Sequence, residues 1–436
     1  MAHRTGSLAP LISRRNFTRM LAGGTAALLA PLNLTRARAE EGAPGLAQWS
    51  PADGERFWQS VRDQFVMPPD LACMNAANLC PSSRPVLDKL DEVTRDIDRD
   101  PSQNNRRKLS DGKEATRKMV AEFLHAAPEE IVLARNTSEA NNIVSSGLDL
   151  RPGDEIVIFS DNHPSNHRAW TDKAARFGFT VKIVSQVNPH PGAEHYVDAF
   201  VKATTSRTKL WAFTHVTNTV GDLMPVNALC RAARERGILT LVDGAQTLGV
   251  LDLDLPAMGC DFFSGSGHKW PCGPRETGVL YVAKAAQSRL APSVISLYAG
   301  AVGASRTLEA YGQRDEAAII AFGEAVSFQM KVGKKAVARR ARDLAVALMD
   351  GLKKIDGVKL WTHPDPERSW AVISFQPGGL DARKLADALY ERDRIACATR
   401  GGEDRPGLRF SPHFYNLHAE VDRTVAAVAK YVRTGL

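Results

Sequence analysis

A lysine, Lys269, stands in a segment whose neighbours suit covalent chemistry. A short apolar run, Asp261–Phe263, is followed by small residues and then by His268 directly before the lysine. An amine that is partly desolvated and close to polar groups can hold an aldehyde as a Schiff base and release it when a substrate amine arrives. A single lysine after a strand is more often a solvated surface residue, so this interpretation depends on the residues around it.

An acidic residue, Asp243, follows the apolar run Ile238–Val242 upstream of the lysine. The run predicts a buried strand, which places Asp243 at the carboxyl edge of an open α/β sheet, where ligands bind. A carboxylate there can keep a pyridine nitrogen protonated, which makes the ring an electron sink for a carbanion at a substrate's α carbon. Alone, Asp243 before Gly244 would be an ordinary turn residue. Together with Lys269 it indicates a cofactor site.

Two further polar segments each follow a predicted strand. After Ile131–Ala134 a helix is expected to begin, and Thr137 and Ser138 would add hydroxyls to the free amides at its positive end, where phosphate binds. After Glu155–Phe159 comes His163, which could lie flat on an aromatic ring. Each feature alone has a plainer explanation: a helix cap for Ser138 and a solvated loop for His163.

Buried strands alternate with helical patterns through the middle of the chain, which predicts βαβ units and a mostly parallel sheet. The predicted strands there are Glu155–Phe159, Lys209–Phe213, Ile238–Val242, Asp261–Phe263 and Gly278–Val282. One long amphipathic helix is predicted next, with Ala317–Phe322 at one end and a solvated basic run, Lys331–Arg342, toward the other. Further on, shorter strands such as Trp370–Phe375 and helices near 382–392 and 420–431 predict a small α+β domain.

Five motifs occur in the order and spacing of a known enzyme family. They are Asn136–Ala140, His163, Thr214–Gly221, Val242–Gln246 and Ser266–Lys269. With these motifs, residues 70–432 resemble the class V, fold type I enzymes that use pyridoxal 5′-phosphate (PLP). Cysteine desulfurases, isopenicillin N epimerase-like proteins and kynureninase belong to that family.

The resemblance implies an α/β fold with a large domain on a mostly parallel, seven-stranded sheet and a small α+β C-terminal domain. Together with the sequence patterns, this divides the chain into a leader at 1–39, an N-terminal segment at 40–80 that joins the small domain, a PLP-binding domain at 81–310, and a linking helix with the small domain at 311–436. It also implies a homodimer with active sites at the interface.

The resemblance gives a role to each motif. Lys269 would carry PLP, Asp243 would pair with the pyridine nitrogen, and His163 would stack on the ring. The other implied cofactor contacts are Asn218 and Gln246 toward the ring oxygen, Thr137, Ser138, Ser266 and His268 on the phosphate, and Gln313 on the phosphate of the partner subunit. Gln313 stands where many relatives carry a threonine.

A substrate handle is implied near the C-terminus. Arg409 occupies the family position that binds the α-carboxylate of an amino acid, and a guanidinium fork matches a carboxylate in two parallel charge-assisted hydrogen bonds. Asn75, in a strand that would fold back over the site, is a second expected substrate contact. The expected substrate is therefore an amino acid or a peptide-like small molecule, and no metal is expected.

The reaction outcome stays open. Ala398–Gly407 has no counterpart of the nucleophilic cysteine of the desulfurases, and Cys397 and Cys272 are both disfavoured as substitutes, so desulfuration is disfavoured. Lys269 is expected to act as general base at the substrate's α carbon. Transamination, as in modification of a siderophore side chain, is the first expectation, and epimerisation or a lyase reaction is the alternative. A non-catalytic binding protein with the same fold is the alternative of another class, and the joint presence of Lys269, Asp243 and Arg409 argues against it.

The first 39 residues predict a twin-arginine export signal. Ser13–Arg19 carries the paired arginines, Met20–Leu34 is mildly apolar, and Ala37–Ala39 is a small-x-small cleavage site. The expected destination is the periplasm or the cell exterior, reached through the twin-arginine export machinery. The formal charge of +7 falls to about +1 on cleavage, because the leader holds six arginines and no acids. The sequence therefore gives no basis for nucleic-acid binding or for membrane anchoring after cleavage.

Overall fold

The computed structural model describes residues 50–400 and 404–436, so the predicted export leader lies outside the described residues. The helices are α1 (Glu55–Arg62), α2 (Arg84–Arg99), α3 (Gln103–Phe123), α4 (Thr137–Gly147), α5 (Pro164–Phe177), α6 (Ala193–Ala203), α7 (Val226–Arg234), α8 (Leu255–Met258), α9 (Ser305–Leu308), α10 (Glu316–Val332), α11 (Lys334–Leu352), α12 (Ala382–Asp393) and α13 (His418–Thr434). The strands are β1 (Ala72–Cys73), β2 (Ile131–Ala134), β3 (Glu155–Phe159), β4 (Thr180–Val184), β5 (Thr208–Thr214), β6 (Leu239–Asp243), β7 (Phe262–Ser266), β8 (Gly278–Val282), β9 (Val358–Leu360), β10 (Ile373–Pro377), β11 (Ile395–Ala396), β12 (Ala398–Arg400) and β13 (Gly407–Phe410). Within these ranges, no helix has both the length and the apolar composition to cross a membrane.

The central sheet of the described chain has seven strands in the order β2-β8-β7-β6-β5-β3-β4. Only β8 runs against its neighbours β2 and β7, and the remaining pairs are parallel. The predicted α/β class with a mostly parallel sheet is confirmed. The sequence analysis did not include β4, because this edge strand is largely solvent-exposed and lacks the continuous apolar run of the inner strands.

The inner strands are apolar because helices cover both faces of the sheet. Every residue of β3 and β8 is buried, and β7 is buried along its whole length although it ends in Gly265 and Ser266. At Gly265 the backbone passes close to a neighbouring side chain: an added Cβ would lie 2.6 Å from Cδ2 of Leu248. β7 continues to Ser266, beyond its predicted end at Phe263.

A second, antiparallel sheet of four strands in the order β12-β13-β10-β9 lies toward the C-terminus of the described residues. The rings of Phe375 and Phe410 stack across β10 and β13 with centroids 5.5 Å apart. Near the start of the described chain, β1 pairs in parallel with β11, so Ala72 lies opposite Ile395. Segments from near both ends of the described residues therefore meet here.

The long helix predicted through the basic run is wrong in two respects. Gly333, with φ of 95°, interrupts it, so α10 and α11 are separate helices. Arg340, predicted to be solvated, is only 4% exposed. Its guanidinium donates a 2.9 Å hydrogen bond to the carbonyl oxygen of Asn416 and lies 5.1 Å from the ring centroid of Trp58.

Candidate active site

The residues predicted to do chemistry lie where strands of the central sheet end. Asp243 is the last residue of β6, and its neighbours in the sheet are Thr214 of β5 and Ser264 of β7. Lys269 follows β7 by three positions, and His163 precedes α5 in the connection after β3. Because the carboxyl ends of parallel strands meet at one edge, these side chains share one cleft.

Asp243 is 2% exposed and its carboxylate is held by three donors. The side-chain amides of Asn141 and Asn166 donate to Oδ2 at 2.9 and 3.2 Å, and the backbone amide of Ala245 donates to Oδ1 at 3.1 Å. A second layer fixes the amides: Ser264 donates to Oδ1 of Asn141 at 2.6 Å. The carboxylate therefore has one orientation at the bottom of the cleft.

The sequence analysis missed Asn141 and Asn166. Asn141 lies four positions after Thr137 on α4, and Asn166 lies three positions after His163 at the start of α5. Residues three or four apart share a helix face. This spacing is the signal that could have placed both amides beside the predicted cofactor residues.

Lys269 has a depressed pKa of about 8, because burial outweighs the attraction of Asp243 and the charge of Arg409 acts in the same direction as burial. The residue after it, Trp270, is completely buried and anchors the turn. Its indole donates to Oε1 of Gln246 at 2.8 Å, and its carbonyl oxygen accepts a 2.6 Å hydrogen bond from the side chain of Gln329. The lysine is thus presented from a rigid turn.

A cluster of hydroxyl and imidazole groups lies at the amino end of α4. The backbone amide of Thr137 donates to Oγ of Ser266 at 3.0 Å, and the two hydroxyl oxygens are 2.7 Å apart. Nδ1 of His268 is buried without a hydrogen-bond partner among the described residues. Burial, Lys269 and Arg275 lower the pKa of His268 to about 4, so its imidazole is neutral at pH 7.

Ser138 is exposed and its hydroxyl lies 3.1 Å from that of Ser165 on α5. Ser165 also binds Nδ1 of His163 at 2.7 Å, which fixes the imidazole at the rim of the cleft. Partial burial and the positive charge of Lys269 lower the pKa of His163, while Asp243 raises it. A neutral ring in this position can lie against an aromatic cofactor.

Arg409 on β13 is 7% exposed, and its nearest partners are neutral. Nη1 donates to the backbone carbonyl oxygen of Asn218 at 2.8 Å, and Nη2 donates to Oδ1 of Asn75 at 3.4 Å. Nε is buried with no partner among the described residues. Burial and the charge of Arg400 lower the pKa of Arg409 to about 10.

Two predicted contacts have other surroundings in the structure. The amide of Gln246 is 2% exposed, and besides accepting from Trp270 it donates to the carbonyl oxygen of Ala77 at 3.0 Å. Gln313 is exposed in a surface groove beside Thr94 and Arg106. Within one chain, the structure therefore does not bring Gln313 together with the other predicted residues.

Comparison with known proteins identifies the family. The family model described as aminotransferase class-V matches residues 80–424. The chain belongs to this family. Isopenicillin N epimerase of Amycolatopsis lactamdurans is 33% identical over 85% of this chain and 98% of its own length. A probable cysteine desulfurase of Xylella fastidiosa (strain 9a5c) is 32% identical over 73% of this chain and 79% of its own length.

Solved structures share the class V fold. A mutant of C-DES with glycine covalently linked to its PLP cofactor superimposes with a TM-score of 0.79 at 22% identity, covering 84% of this chain and 98% of that one. The apo cysteine desulfurase of Thermococcus onnurineus NA1 gives a TM-score of 0.77 at 23% identity, with 86% and 98% covered. The predicted fold type I architecture is confirmed.

PLP is the cofactor of this class V enzyme. The cleft fits PLP by its own chemistry, since the unpartnered Nδ1 of His268 and the hydroxyls of Thr137 and Ser266 suit the phosphate. Asp243 would meet the pyridine nitrogen, and Lys269 would meet the aldehyde. Among the described residues, no group of three or more His, Cys, Asp or Glu side chains could hold a metal ion.

Proposed function

We propose that this PLP-dependent class V enzyme acts on the amine of an amino acid, or of a metabolite that carries one. The observation that carries this proposal is the state of Arg409. Its guanidinium is almost fully buried near Lys269 and donates only to two neutral oxygens, whereas a carboxylate would form two charge-assisted bonds. A substrate whose carboxylate binds Arg409 would have its α carbon directed toward Lys269.

Bound PLP would supply an electron sink for the bonds of a substrate's α carbon. The chain's own residues do the rest. Lys269, with its pKa of about 8, can take the α proton near neutral pH and return it. The carboxylate of Asp243, fixed by Asn141 and Asn166, would hold the proton on the pyridine nitrogen. His163 would keep the ring in its plane.

The candidate reactions differ in what happens at the α carbon of the substrate. Aminotransferase-like chemistry, including modification of a siderophore side chain, is our first candidate. Epimerisation is the second, because two relatives that this chain matches over 98% and 97% of their length are isopenicillin N epimerases. Desulfuration stays disfavoured although other relatives are desulfurases, since Ala398–Gly407 contains no cysteine.

The direct test is exchange of the α hydrogen. Holoenzyme is incubated in D₂O with a panel of L- and D-amino acids, and mass spectrometry follows the gain of deuterium. Exchange in some amino acid that is lost in Lys269→Ala is the expected result. Release of a keto acid then indicates transamination. Inversion of the configuration at the α carbon, with no change in the composition of the amino acid, indicates epimerisation. If no amino acid exchanged its α hydrogen and none shifted the visible band of bound PLP, a non-catalytic binding protein would be favoured.

We also propose export, which rests on the twin-arginine pattern of Ser13–Arg19, outside the described residues. An exported location would place the substrate in the periplasm or outside the cell, as expected for a siderophore. The test is fractionation of cells that express the wild-type chain or a variant with Arg14→Lys and Arg15→Lys. Retention of the wild-type chain in the cytoplasm would contradict the proposal.

We also propose that the enzyme is a homodimer. Gln313 is exposed and far in the chain from the phosphate-binding segments, which suits a contact made to a partner's site. The exposed apolar side chains of Ile295, Leu297 and Tyr298 give a surface that association would cover. Sedimentation analysis tests this, and a monomer at micromolar concentration would contradict it.

A further inference from the structure

We propose that the active site takes a substrate with two anionic groups, an α-carboxylate at Arg409 and a second carboxylate at Arg400. The inference rests on the proposed function and narrows its substrate class to acidic amino acids, or to metabolites that carry a second carboxylate near the reacting amino acid. It assigns a specificity-determining role to Arg400, which lies at the end of β12.

The two arginines lie on one face of the small antiparallel sheet. Ala398 of β12 is opposite Arg409 of β13, and Arg400 is opposite Gly407. Because side chains alternate across a strand, Ala398 and Arg400 share a face, and Arg400 is the diagonal neighbour of Arg409 at about 7–8 Å. Gly407 has no side chain to separate the two guanidiniums.

Arg400 shares its face of the sheet with Arg409, which reaches Asn75 and Asn218 in the cleft. Its positive charge contributes to the lowered pKa of Arg409 on one side and of His163 on the other. His163 comes from the loop after β3 and Arg409 from β13, so Arg400 is close enough to both elements for its charge to act on each. Arg400 is half-buried there, and burial lowers its own pKa.

Asp161, the carboxylate whose charge acts most on Arg400, is already bound by another arginine. Arg405 binds Asp161 through two hydrogen bonds, Nη2 to Oδ1 at 3.0 Å and Nη1 to Oδ2 at 3.3 Å, and the hydroxyl of Thr219 also donates to Asp161. Asp404 pairs with Arg405 as well, at 2.6 Å. Arg400 itself forms no ion pair with any residue in the described part of the chain. Asp161 and Asp404 attract its charge only from a greater distance, so its guanidinium can bind a ligand.

The charge balance of the cleft favours a second anion on the substrate. The charges of Lys269, Arg400 and Arg409 all act on His163 at the rim of the cleft, and Asp243 is the carboxylate that opposes them there. One α-carboxylate can satisfy Arg409. A second guanidinium left half-buried without a partner would oppose substrate binding, whereas a second carboxylate would convert it into a favourable contact.

The test uses ligands without an amine, so that no proton transfer at an α carbon is involved. Holoenzyme is titrated calorimetrically with glutarate and with glutaramate, which has nearly the same shape and one charge fewer. Glutarate is expected to bind about tenfold more tightly or better, as for a charge-assisted bond. Arg400→Gln is expected to bring the ratio of the two affinities close to one, and Arg400→Lys to restore part of it.

A matched control is Arg383→Gln, which removes the same charge from an exposed position on α12. This variant should keep the wild-type ratio, and an unchanged visible PLP band shows that each variant is folded. Equal binding of the two ligands by the wild-type enzyme, or a ratio that survives Arg400→Gln, would overturn the proposal.

Glu403 lies outside the described residues and is the nearest acid along the chain. A wild-type ratio near one that rises in Glu403→Gln would mean that Arg400 serves an acid of the chain, and this would also overturn the proposal. The proposed function fails separately, through absence of α-hydrogen exchange with every amine. The two failures are therefore distinguishable.

Discussion

The side-chain amide of Asn141 donates a 2.9 Å hydrogen bond to Oδ2 of Asp243, although 102 positions separate the two residues. Asn141 lies on α4, one turn after Thr137, so the helix whose amino end suits the phosphate also holds the carboxylate that would meet the ring. Both ends of the cofactor position are thereby fixed by one rigid element.

Substitution of Asn141 should therefore act through Asp243. Asn141→Ala is expected to lower kcat by about tenfold to a hundredfold, since a hydrogen bond to a charged group contributes ~1.5–3 kcal/mol. The control is Asn142→Ala, because Asn142 is exposed on the same helix. Steady-state kinetics on a responsive amino acid checks this, and an equal effect of the two substitutions would contradict it.

The pKa of Lys269 predicts how apoenzyme takes up PLP. Only the neutral amine reacts with the aldehyde, and burial lowers the pKa to about 8. Below that pH the amine is protonated and uptake is slow; above it the rate should level off. At pH 7 about a tenth of the amine is neutral. Stopped-flow measurement of the visible band checks this, and a rate that still climbs tenfold per pH unit near pH ~10 would contradict it.

Position as well as pKa should decide which lysine carries PLP. Lys173 on α5 also has a pKa lowered by burial to about 8, but it binds Asn142 and Ser145 outside the cleft. Borohydride reduction of holoenzyme followed by peptide mapping should label Lys269 and leave Lys173 unmodified. A label on Lys173 alone would refute the assignment of the cofactor lysine.

A buried ion pair holds β2, the strand that leads to the phosphate-binding segment. Arg117 is fully buried, pairs with Glu309 and donates to the carbonyl oxygen of Ile131 at 2.8 Å. Arg117→Met should lower the free energy of unfolding by about 3–5 kcal/mol, because it leaves Glu309 buried without its partner. Lys118→Met, at an exposed neighbour, should change it by less than about 0.5 kcal/mol. Urea unfolding followed by circular dichroism compares the two, and equal midpoints would contradict the prediction.

His268 should contribute to PLP retention as a neutral group. Its pKa of about 4 means that the imidazole carries no charge between pH 6 and 8, so a neutral side chain that can hydrogen bond should replace it in part. His268→Ala is expected to raise the dissociation constant of PLP from the enzyme by about tenfold, and His268→Gln by less. Equilibrium dialysis measures both. The control is His195→Ala, at an exposed position on α6. Identical losses in the two His268 variants would argue against a hydrogen-bonding role.

Much of the cleft was predictable because strand ends carry a local signal. Apolar runs followed by polar residues gave β2, β3, β6 and β7 within a few positions, and Asp243, Thr137 and Lys269 lie where those runs end. Asn141 and Asn166 lie inside helices, where a polar residue is indistinguishable from a solvated one until the packing partner is known. Arg340 was mispredicted for the same reason, since its partners, Trp58 and Asn416, are remote in the chain.

The meeting of Asn75 with Arg409 joins residues 334 positions apart. A ribosome must release nearly the entire polypeptide before this proposed carboxylate-binding pair can form, whereas Asp243 and Lys269 emerge much earlier. The proposed contact with a substrate carboxylate is thus among the last parts of the site to be synthesised. A product shortened before β13 would lack the means to select what it reacts with.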